Sequence, residues 1–89
     1  MERVKLYEYL LNKYEEKQLI VAIEEMSELT KEITKSLRGK TDISHLLEEY
    51  VDVVIMLEQV KIYYGLDEEK IEKVKNEKLK RTQERMLLL

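Results

Sequence analysis

The sequence predicts an all-α fold, a helical bundle of three to four helices completed by oligomerisation. Three observations carry that expectation. The 89 residues include two glycines and no proline, and 39% of them are charged, a composition rich in helix formers and poor in helix breakers. The apolar residues recur at three- and four-residue steps, the helical period, rather than in alternation. A chain this short buries only about 60–70% of its unfolded surface, so its core is thin and association is the expected supplement. Residues 1–89 read as a single domain without internal repeats or low-complexity tracts.

The elements follow in order. The first sixteen residues read as a short helix carrying Val4, Leu6, Tyr7, Leu10, Leu11 and Tyr14, and the polar run Glu15-Glu16-Lys17 marks the expected break. A second helix is expected over 17–38, ending at Gly39, and a third over 44–64, ending at Gly65. Glycine is suited to the left-handed position just past a helix C-terminus. Between them Lys40-Thr41-Asp42-Ile43-Ser44 is polar and non-periodic, hence a loop, with Asp42 or Ser44 able to cap the helix that follows. A fourth helix is expected over 67–86, capped by Asp67, with Glu68 and Glu69 facing the positive end of its dipole. The closing Met86-Leu87-Leu88-Leu89 is apolar and uncapped, a segment that either docks or frays.

Composition excludes several functions. Nineteen acids against sixteen bases leave a net charge of −3, too balanced to point to nucleic acid. The absence of cysteine rules out a disulfide scaffold or thiolate metal site, and the single histidine, His45, rules out the usual zinc sets. Nothing approaches the roughly 18 unbroken apolar residues of a membrane span, and the charged N-terminus is unlike a signal peptide. The expectation is a soluble, cytoplasmic protein with neither a membrane nor a nucleic-acid partner.

Acidic residues in the second and third helices stand out. On the second, Leu19, Ala22, Ile23, Met26, Leu29, Thr30, Ile33 and Leu37 form one stripe, the expected core face. Glu24, Glu25, Glu28 and Glu32 fall on the other side, with Glu25 and Glu28 adjacent at i and i+3. A solvated acidic face would look the same. The third helix is apolar nearly all round, from Leu46 and Leu47 through Tyr50, Val51, Val53 to Leu57, Val60 and Ile62, and is expected to be buried on most sides. Within that run sit Glu48, Glu49 and Asp52, and a buried unpaired carboxylate costs several kcal/mol or becomes neutral. Either lysines of the fourth helix pair with them, or two helices that each present acids at i and i+3 enclose a cation. Oxygen ligands without cysteine or histidine select Mg²⁺ or Mn²⁺. A ferritin-like di-iron site needs a Glu-x-x-His on each of two helices and is excluded by the histidine count. His45 reads as a loop or first-turn residue rather than a ligand.

The fourth helix is basic, with Lys73, Lys75, Lys78, Lys80 and Arg81 close together. Lys78 and Arg81 share a face and suit phosphate oxygens, whereas Lys73 and Lys80 read as solvated.

Taken together, Gln18, the run Ala22-Ile23-Glu24-Glu25-Met26-Ser27-Glu28-Leu29, then Leu37-Arg38-Gly39, Glu48-Glu49-Tyr50-Val51-Asp52-Val53 and Lys78-Leu79-Lys80-Arg81 resemble the MazG-like nucleoside triphosphate pyrophosphohydrolases, of the all-α NTP pyrophosphatase superfamily. The signature of that family is Glu-Glu-x-x-Glu, a spacer, then Glu-x-x-Asp; here Glu24 to Glu28 and Glu49 to Asp52 match it, and the resemblance spans Gln18 to Arg85. It implies an α-helical enzyme that uses Mg²⁺, with Mn²⁺ a possible substitute, to split a nucleoside triphosphate into monophosphate and pyrophosphate. It implies Glu25, Glu28, Glu49 and Asp52 as metal ligands and Glu24 as a group supporting them or positioning the attacking water. Lys78 and Arg81 would hold phosphates, with Gln18 on the nucleotide side. Two departures bear on packing: Glu15-Glu16 stands where similar short proteins often have a glycine after an aromatic, and Tyr50-Val51 replaces a smaller pair.

Self-association is the last expectation. Leu46, Val53, Leu57 and Val60 occupy one side of the third helix while Val51, Ile55 and Ile62 occupy nearly the opposite one, more than the three or four helices of one small subunit can cover. A homotetramer built from dimers is expected, with a dimer as the simpler form.

Overall fold

The computed structural model describes residues 1–88; Leu89, the last residue of the apolar tail, lies outside them. Four helices follow in order: α1 (Arg3–Tyr14), α2 (Lys17–Leu37), α3 (Ile43–Tyr64) and α4 (Glu68–Leu87). All the regular structure among the described residues is helical, and the expected boundaries hold to within a residue or so.

The stops and starts have local causes. At the end of α2, Gly39 adopts φ +82°, and the amides of Gly39 and Lys40 return to the carbonyls of Ser36 and Lys35. Gly65 (φ +62°) ends α3 in the same way, its own amide on Ile62 and that of Leu66 on Lys61. These bonds satisfy carbonyls that the ending helix leaves without partners. Asp42 caps α3 by accepting from the His45 amide at 3.1 Å, and Asp67 caps α4 by accepting from the Glu69 amide at 3.1 Å. The α1–α2 break has no glycine. Glu15 itself turns the chain, with φ +52° and ψ −131°.

α2 and α3 pack antiparallel and form the body of the molecule. Three contacts fix their register: Gln18 meets Gln59, Glu25 meets Asp52, and Glu32 meets His45. The residues advance in steps of seven along α2 and retreat in steps of seven along α3, the spacing of a heptad seam. Ala22, Val53 and Met56 are the apolar residues buried on the two facing helices, so the seam alternates polar and apolar layers. α1 lies across the pair, with Tyr7 buried and its hydroxyl donating to the Glu58 carboxylate at 2.5 Å. α4 leaves the bundle: it approaches no other helix closely and contains no buried residue. An ion pair between Lys61 and Glu68 ties its first turn to the end of α3.

This packing corrects the expected core of α2. Of the predicted stripe, Ala22 is buried and Leu19 and Leu29 are half-buried, but Ile23 is 60% exposed, Ile33 47% and Leu37 83%, with Met26 and Thr30 also exposed. Glu32, expected on the solvated side, is 5% exposed. The face turned to α3 is the Gln18–Ala22–Glu25–Glu32 line, and the apolar stripe lies roughly a quarter-turn round the helix. Nor is α3 buried on most sides: Leu47, Tyr50, Val51, Ile55 and Leu57 are exposed. The physical reason is that polar partners at matching seven-residue steps satisfy one another across the seam, while the apolar stripes are left uncovered by the described residues.

Candidate metal centre

The site sits at the middle layer of the α2–α3 seam. Glu25 enters from α2; Glu49 and Asp52, one helical turn apart, enter from α3, and the three carboxylates bring oxygens within 4.8 Å of one another. Glu25 and Glu49 are half-buried and Asp52 is exposed, so the group opens to solvent on one side. Burial pushes the Glu25 carboxyl above the usual glutamate range, and the charges of Asp52, Glu49, Glu28 and Glu24 push it further in the same direction. Anions this close hold one another's charge in check unless a proton or a cation intervenes. An all-oxygen donor set of this kind suits Mg²⁺ or Mn²⁺.

Three of the four expected ligands therefore come together. Glu28 is exposed and outside the group; its charge still reaches Glu25. Glu24 is exposed beside it. The alternative that lysines of the last helix pair with the acids of α3 is not what the packing gives: the ion pair on α4 away from its start is Lys75 with Glu72, at 3.2 Å and within the helix itself. Lys78 and Arg81 are exposed on α4. Lys78 lies along an apolar groove of about 610 Å³ with Leu66, Ile71 and Val74.

Gln18 lies on the α2–α3 seam. It donates through Nε2 to Gln59 Oε1 at 2.7 Å, and Gln59, 2% exposed, donates in turn through its own Nε2 towards Met56 Sδ at 3.5 Å. Gln18 thus closes one end of the seam, two turns from the carboxylates.

Sequence reasoning missed the other end. His45 is a first-turn residue, as expected, but its imidazole lies between two carboxylates, with Nδ1 3.0 Å from Glu32 Oε1 and Nε2 3.5 Å from Glu49 Oε1. Glu32 also pairs with Lys35 at 3.2 Å. The available signal was the step of seven from Gln18 through Glu25 to Glu32, matched by His45, Asp52 and Gln59.

Searches against protein-family models, curated proteins and solved structures find no match to this chain.

Proposed function

We propose that the protein is a Mg²⁺-dependent nucleoside triphosphate pyrophosphohydrolase, of the kind its two acidic motifs resemble, cutting ribo- or deoxyribonucleoside triphosphates to monophosphate and pyrophosphate in nucleotide-pool house-cleaning. The observation that carries the reading is the convergence of Glu25, Glu49 and Asp52, where burial and then the neighbouring charges push the Glu25 carboxyl above the usual glutamate range. Such a group is costly to the bare protein, and a dication offsets that cost.

When bound, Mg²⁺ supplies the positive charge that screens the triphosphate oxygens and orients the chain for attack. Mn²⁺ would serve in its place. Glu25, Glu49 and Asp52 would hold the cation, with Glu28 the fourth ligand that the resemblance implies. Glu24, exposed and next to Glu25 in sequence, supports the ligands or helps position the attacking water. Lys78 and Arg81 neutralise phosphate oxygens on the leaving side. Catalysis rests on positioning and electrostatics, with no side chain acting as a covalent nucleophile.

Because α4 leaves its own bundle, Lys78 and Arg81 act on the carboxylates of a neighbouring copy, in a homotetramer built from dimers or in the simpler dimer. The exposed apolar stripes of α2 and α3 supply that assembly with its interface. Those same stripes favour a second reading, a helical oligomerisation module without activity. Within the superfamily, phosphoribosyl-ATP or dUTP alone are the competing substrates.

Pyrophosphate release across a panel of canonical and damaged nucleotides with Mg²⁺ tests the reading. Glu49→Ala and Asp52→Ala should each abolish turnover. Diphosphate plus orthophosphate as products, or near-wild-type rates in either variant, would overturn it. Equal mixtures of Glu49→Ala and Arg81→Ala should recover part of the activity if sites are shared between copies.

A further inference from the structure

We infer that the cleft between α1 and α3 receives the nucleobase of the triphosphate and favours bases that carry an exocyclic amino group; the inference rests on the pyrophosphohydrolase reading above and names its substrate class. The cleft has a volume of about 540 Å³, within the range of pockets that hold small ligands. Its position follows from the turn of α3. Three residues on from Asp52, Ile55 lies about 60° round the helix, and Val51, one residue back, lies about 100° round in the same sense. Glu58, six residues on, lies about 120° round in that sense too, whereas Glu49 lies about 60° the other way. The carboxylates and the cleft therefore occupy neighbouring faces of one helix, and Val51, Ile55 and Glu58 all line the cleft. Asp52 is the exposed member of the carboxylate group, so the metal site opens beside the cleft. A triphosphate held by the cation can lay its base there.

The walls suit a flat ring with one polar edge. Leu6, Val51 and Ile55 supply apolar surface, and Tyr50, 58% exposed, supplies an aromatic ring for stacking. The polar edge is Glu58. The buried Tyr7 hydroxyl donates to its Oε2 at 2.5 Å from the other wall. That bond fixes the carboxylate and leaves Oε1 to accept from a ligand. An ionised carboxylate accepts hydrogen bonds and has none to donate. The amino groups of cytosine, adenine and guanine are the donors it fits. Uracil and thymine present a carbonyl oxygen where cytosine has its amino group, and a carboxylate repels it. Hypoxanthine is guanine without the amino group. A hydrogen bond to a charged group discriminates by about 10- to 100-fold. Association between copies keeps the α2 stripe, with Ile23 and Ile33 exposed on it.

The experiment is calorimetry of the full chain with Mg²⁺ and the α,β-imido analogues of CTP and UTP, which bind without being split at that bond. Pyrophosphate release from CTP, UTP, GTP and ITP is measured beside it. The cytosine analogue should bind about 10- to 100-fold tighter than the uracil one, and kcat/KM should favour CTP over UTP and GTP over ITP. Glu58→Gln keeps an acceptor for Tyr7 and adds an amide that donates, so it should close most of that gap, with weaker cytosine and stronger uracil binding. Tyr50→Ala should weaken both analogues by about tenfold and leave their ratio unchanged. Both variants are compared with wild type at matched helicity by circular dichroism. Equal affinity of the wild type for the two analogues overturns the inference, as does full preference retained in Glu58→Gln. A Tyr50→Ala protein that binds nucleotide like wild type but sediments as a smaller species also overturns it, since the cleft is then an interface between copies. A wild-type protein that neither binds the analogues nor releases pyrophosphate from any of the four nucleotides overturns the pyrophosphohydrolase reading itself, a distinct result.

Discussion

Replacing Glu15 by glycine should stabilise the protein. Glu15 turns the chain between α1 and α2 with φ +52° and ψ −131°, the one non-glycine residue at positive φ among those described. Hydrogen bonds pin it on both sides: its amide donates to the Leu11 carbonyl at 2.9 Å, and its carbonyl accepts from the Gln18 amide at 3.0 Å. Neither helix can relax the turn without losing one of them. A side chain in such a region costs about 1–3 kcal/mol, while glycine adds back about 0.5–1 kcal/mol through the greater freedom of the unfolded chain, for a net gain of up to about 2.5 kcal/mol. For a domain of this size the midpoint of thermal unfolding should rise by about 4–8 °C for each kcal/mol gained. Circular dichroism melts at one fixed protein concentration give the measurement, because association shifts the midpoint with concentration. Glu15→Ala is the control, since it removes the charge but keeps the Cβ. If Glu15→Gly melts no higher than Glu15→Ala, the gain does not come from the backbone and the strain argument fails.

Other outcomes follow from the same contacts. Glu25→Gln should stabilise the protein in the absence of divalent cations at neutral pH. Because the folded-state pKa of Glu25 lies above its unfolded value, the native state binds the extra proton, and stability falls as pH rises from the ordinary glutamate range through the raised one; that loss should vanish in the variant, and retention of the full slope would assign it to other groups. Tyr7→Phe leaves the Glu58 carboxylate without its donor and should cost about 1–3 kcal/mol in urea unfolding; a cost near zero would show that the bond contributes nothing to docking α1. Ile23→Asp or Ile33→Asp should shift the sedimentation coefficient towards that of a single chain with little loss of helicity, each apolar side chain being worth about 1.5–3 kcal/mol when buried. A wild-type protein that sediments as an ~11 kDa monomer at micromolar concentration would remove the interface altogether.

The helices were legible because their boundaries are written locally: Gly39 and Gly65 supply the left-handed stops, and Asp42 and Asp67 supply the caps. The carboxylate group was legible in most of its members because acids at i and i+3 on two antiparallel helices can meet only across the seam. What the sequence concealed was the inward face of α2. Hydrophobic periodicity selects Ile23, Met26, Ile33 and Leu37, a strong stripe that points away from α3. The true inward line is weakly apolar, and its rationale lies in partners some thirteen to forty-one residues away. Gln18 is explained by Gln59, and Glu32 by His45. The Tyr7–Glu58 bond, between residues fifty-one apart, likewise has no local signal. Glu15 is a middle case, since the structure places a positive φ where a glycine would be at ease.

The stepwise pairing of α2 with α3 also works as a ruler. Two antiparallel helices joined by a short loop can slide, and a slip of one whole heptad leaves the apolar layers still facing apolar layers. Here that slip is penalised. In one direction it sets Glu32 opposite Asp52 and strands His45; in the other it sets Gln18 opposite Asp52 and carries Glu32 past the start of α3. A buried carboxylate without its partner costs several kcal/mol, a large share of the roughly 5–15 kcal/mol that holds a domain folded. Alignment is thus set by chemistry that hydrophobic spacing alone would leave ambiguous. The tolerance of the chain to length changes should be correspondingly uneven. The exposed loop between α2 and α3 can absorb an inserted residue, because both halves of the ruler stay intact. A residue inserted between Gln18 and Glu32 turns everything beyond it by about 100°, and no slide of one helix along the other can bring all three marks back into line.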